Sequence, residues 1–471
     1  MNIRRIFKWS LATIGAIALV LGLLFFALLR TFYPNPPEPD LPAAPDVATA
    51  QRQDFDYFQH YFELNRTYTS AALERAKQLL ARHREKAGSF SPAQFDLAIA
   101  SVAALADNGH SRVHPPGLAR RHSRLPCRSY RFDDGYYVIR ARPACAELLG
   151  AKLLAIDGRP VGEVADKMFE YFGGPRNHYD QFASSFFLES PALLHAAGVA
   201  SEADRLTLRV ASRDGSEREV QIAAEPADAN APVMFGNEYL SPQPLEGEAD
   251  DWRPLLAIDA ALPPLLRDLN VPFRSELWAQ DAVYFAQFRS NADEPGYPIG
   301  DFVARARREI QAGQPRSIVL DLRFDQGGNF TTTASLMKDL AHLTDGIERV
   351  YILTSAWTFS AGNVNLALVK EHGGDKVVVI GETVGDRIRT WAEGGSLALP
   401  NSKLRIGFST GLHDYSGSCW GVSGCFWVMY FYPTHVTSFE PDVHVAYSFE
   451  DYVNLRDPAL DRALELARRA P

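Results

Sequence analysis

Val350–Gly381 reads VYILTSAWTFSAGNVNLALVKEHGGDKVVVIG. Val350–Leu353 is an uninterrupted apolar run, the pattern of a strand covered on both faces. A helical pattern begins at Ser360, and Lys376–Gly381 is a second strand-like run. Strand, helix, strand predicts a parallel pair joined by a crossover helix. Ser360 stands at the strand-to-helix junction. It can cap the helix, the commoner role for serine there. It can also present an exposed Oγ beside helix amides that face whatever it attacks.

The same alternation extends in both directions. "DAVYFAQF" and "RSIVLDLRF" read as strands, and Ile299–Ala312 and Thr332–Leu343 as helices. Residues 276–471 therefore predict an α/β sandwich built on parallel strands. In "IVLDLRFDQGGNF" (Ile318–Phe330), Gly327 and Gly328 let the chain turn tightly just after a buried strand. Amides freed by such a turn can form one side of an oxyanion hole, and Ala361 can supply the other donor from the helix start. In "LADNGHSRV" (Leu105–Val113), His110 follows a helix end marked by Asn108-Gly109. Its ordinary pKa near neutrality suits a general base. His110 and His114 also have i,i+4 spacing, but without the Glu of an H-E-x-x-H helix this is a weak metal signal, and no metal or other cofactor is predicted.

Upstream, Arg4, Arg5 and Lys8 precede Ser10–Leu29, which carries no charged residue and can span about 30 Å of hydrocarbon. The basic leading residues place the amino terminus in the cytoplasm. Arg30-Thr31-Phe32-Tyr33 fits a signal-peptide cleavage site poorly, so residues 1–32 predict a cytoplasmic tip and an uncleaved single-pass inner-membrane anchor. A proline-rich linker, 33–46, follows as an extended spacer, which puts the body in the periplasm. Helical periodicity marks 47–121 (Phe55, Phe58, Tyr61, Phe62). Hairpin signals at Asp134-Gly135 and Asp214-Gly215 mark a β-rich unit over 122–228. An irregular, Pro- and acid-rich bridge covers 229–275. The fold class is thus multidomain, mixed α+β and α/β.

The 471 residues are too many for one core. The net charge of −9, without a basic stripe, argues against a nucleic-acid partner. The four cysteines fall into two local sets, and outside the cytoplasm they predict the disulfides Cys127–Cys145 and Cys419–Cys425. Trp420, inside the loop "CWGVSGC", is a candidate for the rim of a cleft.

"DNGHSRV", "VLDLRFDQGG", "LTSAWTFSAGN", "VVVIGETVGD", "FEPDVHV" and "EDYVNLRDPALDRALE" occur in the order found in the C-terminal-processing (tail-specific) peptidases, and the chain resembles that family and the related tricorn core. The resemblance covers about residues 47–120 and 276–471 and implies a ClpP/crotonase-like core. "YYVIRA" and "AKLLAIDGRPV" are similar to the family's PDZ-like domain, which docks peptide ends by strand addition. The resemblance implies a serine endopeptidase acting on peptides or protein tails, with Ser360 as nucleophile and Ala361 with Gly327 or Gly328 as oxyanion donors. Where the Ser-Lys members carry their lysine, this chain has Gly385-Asp386-Arg387, and arginine cannot take up a proton. The tricorn-like branch instead uses a histidine and a distant glutamate. That points to His110 as base and Glu440 as third member, with Asp442 as its rival. Gly109 stands where that branch has a serine. These departures keep a second expectation open, an inactive peptide- or lipid-binding scaffold on the same fold. The oligomeric state is open as well.

Overall fold

The computed structural model describes residues 3–469 apart from 233–235, 269 and 418; for residues 3–12 and 115–116 it describes the backbone alone. The side chains of Arg4, Arg5 and Lys8, which carried the orientation argument, lie outside the described set.

In the Ile3–Phe32 helix, residues 13–31 are almost all exposed, and Thr13–Phe32 is long and apolar enough to cross a membrane or to act as a signal sequence. The linker behind it is extended but not free. Tyr57 donates to the Pro37 carbonyl at 2.6 Å and Gln53 to the Pro42 carbonyl at 3.0 Å, which lays the linker along the Val47–Leu64 helix. That helix packs with Ser70–Glu85 and Pro92–Ala104. The last of these starts at a full capping box, Ser91 with Gln94.

An antiparallel sheet follows, in the order Cys127–Phe132, Gly135–Ala141, Lys152–Ile156, Arg205–Ala211, Glu217–Ala223. Its outer hairpins turn at the predicted Asp134-Gly135 and Asp214-Gly215. The bridge is more ordered than its composition suggests. Arg253–Pro254 adds to the second strand of this sheet, and buried Arg140 ties it down through Glu248 and the Ser241 and Gln243 carbonyls.

The third unit is a six-stranded sheet in the order Val443–His444, Val377–Gly381, Arg349–Thr354, Ser317–Asp321, Val283–Phe288, Phe273–Trp278. All neighbours are parallel except the final hairpin. Alternate residues face opposite layers. Ile318, Leu320, Val350 and Ile352 pack beneath the Ile299–Gly313 and Ala361–Gly373 helices, while Val319, Tyr351 and Leu353 pack against Ala459, Leu460 and Ala463 of the C-terminal helix. Both faces are covered, which is why these strands read as continuous apolar runs. Two features differ from the sequence expectation. The Thr332–Leu343 helix breaks into a short helix, Ala334–Asp339, flanked by 3-10 turns. Two four-residue hairpins, Arg389–Ala392 with Gly411–Asp414 and Gly395–Ala398 with Arg405–Phe408, are inserted after the Val377–Gly381 strand. Leu397, Leu404 and Ile406 of this insertion share a core with the N-terminal helices.

Cys419 and Cys425 form a disulfide, with Cα atoms 5.5 Å apart. Cys127 and Cys145 do not: they are two buried free thiols in hydrogen-bond contact, and burial together with that contact raises the Cys127 thiol well above its ordinary range. The expected second bridge is therefore corrected to a packed thiol pair, a common use of buried cysteine.

Candidate active site

Three parallel strands deliver their following loops to one edge of the sheet, the carboxyl edge at which open α/β sheets gather chemistry. Ser317–Asp321 leads to Asp325–Gly328, Arg349–Thr354 to Ser355–Ser360, and Val377–Gly381 to Glu382–Arg387. The loop carrying His110 reaches the same edge from the helical unit.

Ser360 has φ 55° and ψ −119°, a backbone region that side chains other than glycine rarely enter. Such a conformation costs on the order of 1–3 kcal/mol and persists only where its surroundings over-determine it. They do so here. The Phe359 amide donates to the Asp325 carbonyl at 2.9 Å, and the Asn363 amide to the Ser360 carbonyl at 3.0 Å. Thr358 Oγ1 donates to the Leu322 carbonyl at 2.8 Å, and the Gly385 amide to the Thr358 carbonyl at 2.9 Å. The Ser360 side chain makes no capping bond, so the ordinary helix-cap role is absent.

Gly327 lies directly on this serine. A Cβ there would stand 2.6 Å from Ser360 Cβ and 3.0 Å from Oγ, and its φ of 109° already demands glycine. Gly328 is held by Asn291, whose amide donates to the Gly327 carbonyl and whose carbonyl accepts from Asn329. The Gly327 amide is committed to Asp325 Oδ1 at 3.1 Å. Among the described residues, the Gly328 and Ala361 amides have no protein acceptor. Of the two glycines expected as oxyanion donors, Gly328 is the one with an N–H to give.

Asp325 is the residue that sequence reasoning passed over. Fully buried, it accepts from Asn291 at 2.5 Å, Asn365 at 3.1 Å and Gly327, and it lies against Gly362 of the serine helix. Burial raises its carboxyl to about 6, although these hydrogen bonds pull it down. Its place two residues before the Gly327-Gly328 pair, in D-Q-G-G, was the only signal in the sequence.

His110 stacks on Phe359, the neighbour of Ser360, with ring centroids 4.3 Å apart. An Asx turn orients its loop, the His110 amide donating to Asn108 Oδ1 at 3.0 Å. A bridge between Val113 and Ile406 fastens the loop to the inserted hairpins. Gly109 has a steric reason: a Cβ there would come within 3.0 Å of the Phe359 ring. Both imidazole nitrogens are buried without a hydrogen-bond partner, so no hydrogen bond joins His110 to Ser360. Burial, with the Arg112 and His413 charges adding to it, pushes the His110 pKa down to about 3. Arg112 is itself without a hydrogen bond at Nη1 and lies over the Phe172 and Phe182 rings. His178 stacks on Phe359 as well, at 4.3 Å, with Nδ1 bonded to the Ala356 carbonyl.

The carboxylate beside His110 is Asp386, with Oδ2 3.7 Å from Nδ1. It accepts from Thr390 Oγ1 at 2.9 Å and from the Arg387 amide at 2.8 Å, and burial raises it to about 6. Glu440, expected in this role, is exposed and accepts from Thr383 Oγ1 at 2.5 Å. Asp442 is bonded to the Val379 amide at 2.8 Å. Both are occupied along the Val377–Thr383 segment. Arg387, which stands where the Ser-Lys members have lysine, turns outward to Asp107. His114 precedes a short helix, its amide bonded to the Arg405 carbonyl. Among the described residues no group of three or more His, Cys, Asp or Glu is arranged to hold a metal ion.

No protein-family model and no curated protein matches the chain. Among solved structures, mature CPAF complexed with lactacystin is similar at 12% identity and a TM-score of 0.55, over 90% of this chain and 98% of CPAF. A second mature CPAF structure gives 12% and 0.54 over 90% and 97%. The tricorn protease aligns over 91% of this chain and 37% of its own, at 13% identity and a TM-score of 0.37, too distant to bear on the argument. The chain has the mixed α/β fold of CPAF along nearly its whole body. At this identity the likeness concerns the fold alone.

Proposed function

We propose that the chain is a membrane-anchored serine peptidase whose body works on polypeptides outside the cytoplasm, with Ser360 as nucleophile and His110 as base. The observation that carries this reading is the strained, uncapped Ser360 beside Gly327, two unfilled amides and a neutral imidazole. The motif order shared with C-terminal-processing peptidases supports it, as does the fold shared with CPAF.

Ser360 Oγ attacks the peptide carbonyl carbon and passes its proton to His110 Nε2. The oxyanion takes the Gly328 and Ala361 amides. His110 returns the proton to the departing amine, and water attacks the acyl ester with His110 again as base. Asp386, in place of Glu440, faces Nδ1 and stabilises the imidazolium as it forms. The present gap between His110 and Ser360 closes when substrate fills the cleft, as apo catalytic hydrogen bonds commonly do. The Thr13–Phe32 helix and the basic residues before it in the sequence support this topology.

Full-length protein in detergent should be labelled by a fluorophosphonate at Ser360. Ser360→Ala should abolish labelling and peptide hydrolysis together, and His110→Ala should slow both by on the order of 10³-fold. The unbonded imidazole favours one rival, an inactive peptide-binding scaffold on the same fold. Peptide binding with neither labelling nor hydrolysis would establish the rival instead.

A further inference from the structure

Tyr415–Phe439 contains no Asp, Glu, Lys or Arg. Within it, Trp420 is 76% exposed, Phe431 64%, Val422 41% and Tyr430 37%, and the Trp420 and Tyr430 rings meet at 4.9 Å. Contiguous exposed aromatic residues on an otherwise charged surface mark a place where something else sits.

The N-terminal helix identifies the occupant. Its last residue, Phe32, is 5% exposed and packs edge-on against Phe426 at 5.2 Å, immediately after Cys425. Thr410 Oγ1 donates to the Phe32 carbonyl at 2.6 Å, and Tyr33 bonds to Glu393. The proline linker, fastened to the Val47–Leu64 helix, gives the body no slack. The helix therefore leaves the bilayer directly onto the base of the aromatic loop.

We propose that the Trp420–Phe431 segment is a membrane-interface dock, with Trp420, Tyr430 and Phe431 seated among lipid headgroups beside the exit of the anchoring helix. Trp and Tyr prefer that layer because an apolar ring and a polar edge are both satisfied there. An uncharged segment loses little on entering it. The Cys419–Cys425 bridge holds the loop, and the loop is bonded back to Leu412 through the Gly424 carbonyl and the Phe426 amide. Leu412 pairs with Trp391, next to Thr390, the partner of Asp386. A groove lined by Val422, Leu412, Trp391, Thr390 and Asn108 runs from this loop to the His110 loop. The substrate class that fits is a polypeptide segment lying at or emerging from the bilayer surface. This inference rests on the anchored reading above.

The test uses the full chain, one copy per nanodisc of phosphatidylcholine and phosphatidylglycerol. Phe431→Cys carries an environment-sensitive fluorophore; Ser216→Cys, at the exposed tip of the Asp214-Gly215 turn, is the reference. Nitroxide lipids labelled near the headgroup should quench the first about two-fold or more and leave the second unchanged. Tyr430→Cys serves if Phe431→Cys does not fold. A water-like, unquenched signal at both sites overturns the dock. A blue-shifted but unquenched signal also overturns it, in favour of a protein partner or a second copy. Carbonate extraction separates the two premises: chain released from membranes refutes the anchor, whereas retained chain with an unquenched label refutes only the dock.

Discussion

Asp386 is the residue whose chemistry most directly tests the site. Activity needs His110 neutral and Asp386 ionised. His110, at about 3, is neutral throughout the ordinary assay range, while Asp386 ionises only through about 6. The acid limb of kcat/KM should therefore fall near pH 6 and report the carboxyl, although its position resembles that of a free histidine. Asp386→Asn should lower kcat by on the order of 10²–10⁴-fold and move the remaining limb toward lower pH. A variant that keeps both the wild-type rate and the limb would remove Asp386 from the mechanism. Glu440→Gln, altering only an exposed bond to Thr383, should change kcat little.

Among the elements, the glycine turn and the serine elbow form one interlocked unit. A Cβ on Gly327 would press on Ser360 at 2.6 Å, whereas one on Gly346 would meet nothing nearer than Thr344 Oγ1 at 3.9 Å. Gly327→Ala should cut fluorophosphonate labelling by roughly 5- to 150-fold, since backbone strain at such a site is worth about 1–3 kcal/mol. Gly346→Ala should label as wild type, and equal labelling of the two would show that the turn does not shape the nucleophile. These elements were legible in the sequence because local pattern creates them: buried β-branched strands, glycines after the strand, and a serine before the helix. The inserted hairpins were not, because four-residue strands such as Gly395–Ala398 are too short to show a period. The choice between Asp386 and Glu440 was equally hidden. It depends on how the helical unit docks its His110 loop on the hairpins, a tertiary contact with no local signature. The Cys127–Cys145 expectation rested on count and spacing, which place two thiols together without requiring a bond.

Across the whole molecule, the same burial that builds the site opposes its own charges and sets how stability depends on pH. Histidines whose folded pKa is depressed contribute stability that is complete above their unfolded value and is lost as pH falls toward the folded one. His110 travels from 6.5 to about 3 and His83 to about 4, and burial lowers His178 well below its ordinary value as well. Buried carboxyls with raised pKa act oppositely, stabilising below their unfolded value and losing that contribution as pH rises through the folded one. Asp325 and Asp386 travel only from 3.8 to about 6. Over pH 6.5 to 4 the imidazoles outweigh the two carboxyls; Asp321, lowered by Arg323, gives up its contribution only below about pH 4. The thermal midpoint of the full chain in detergent should therefore fall on going from pH 7 to pH 4. Asp386→Asn removes one carboxyl that is most favourable at low pH, so the variant should show a steeper fall over the same range. A midpoint that rises toward pH 4 would mean that the raised carboxyls outweigh the depressed imidazoles.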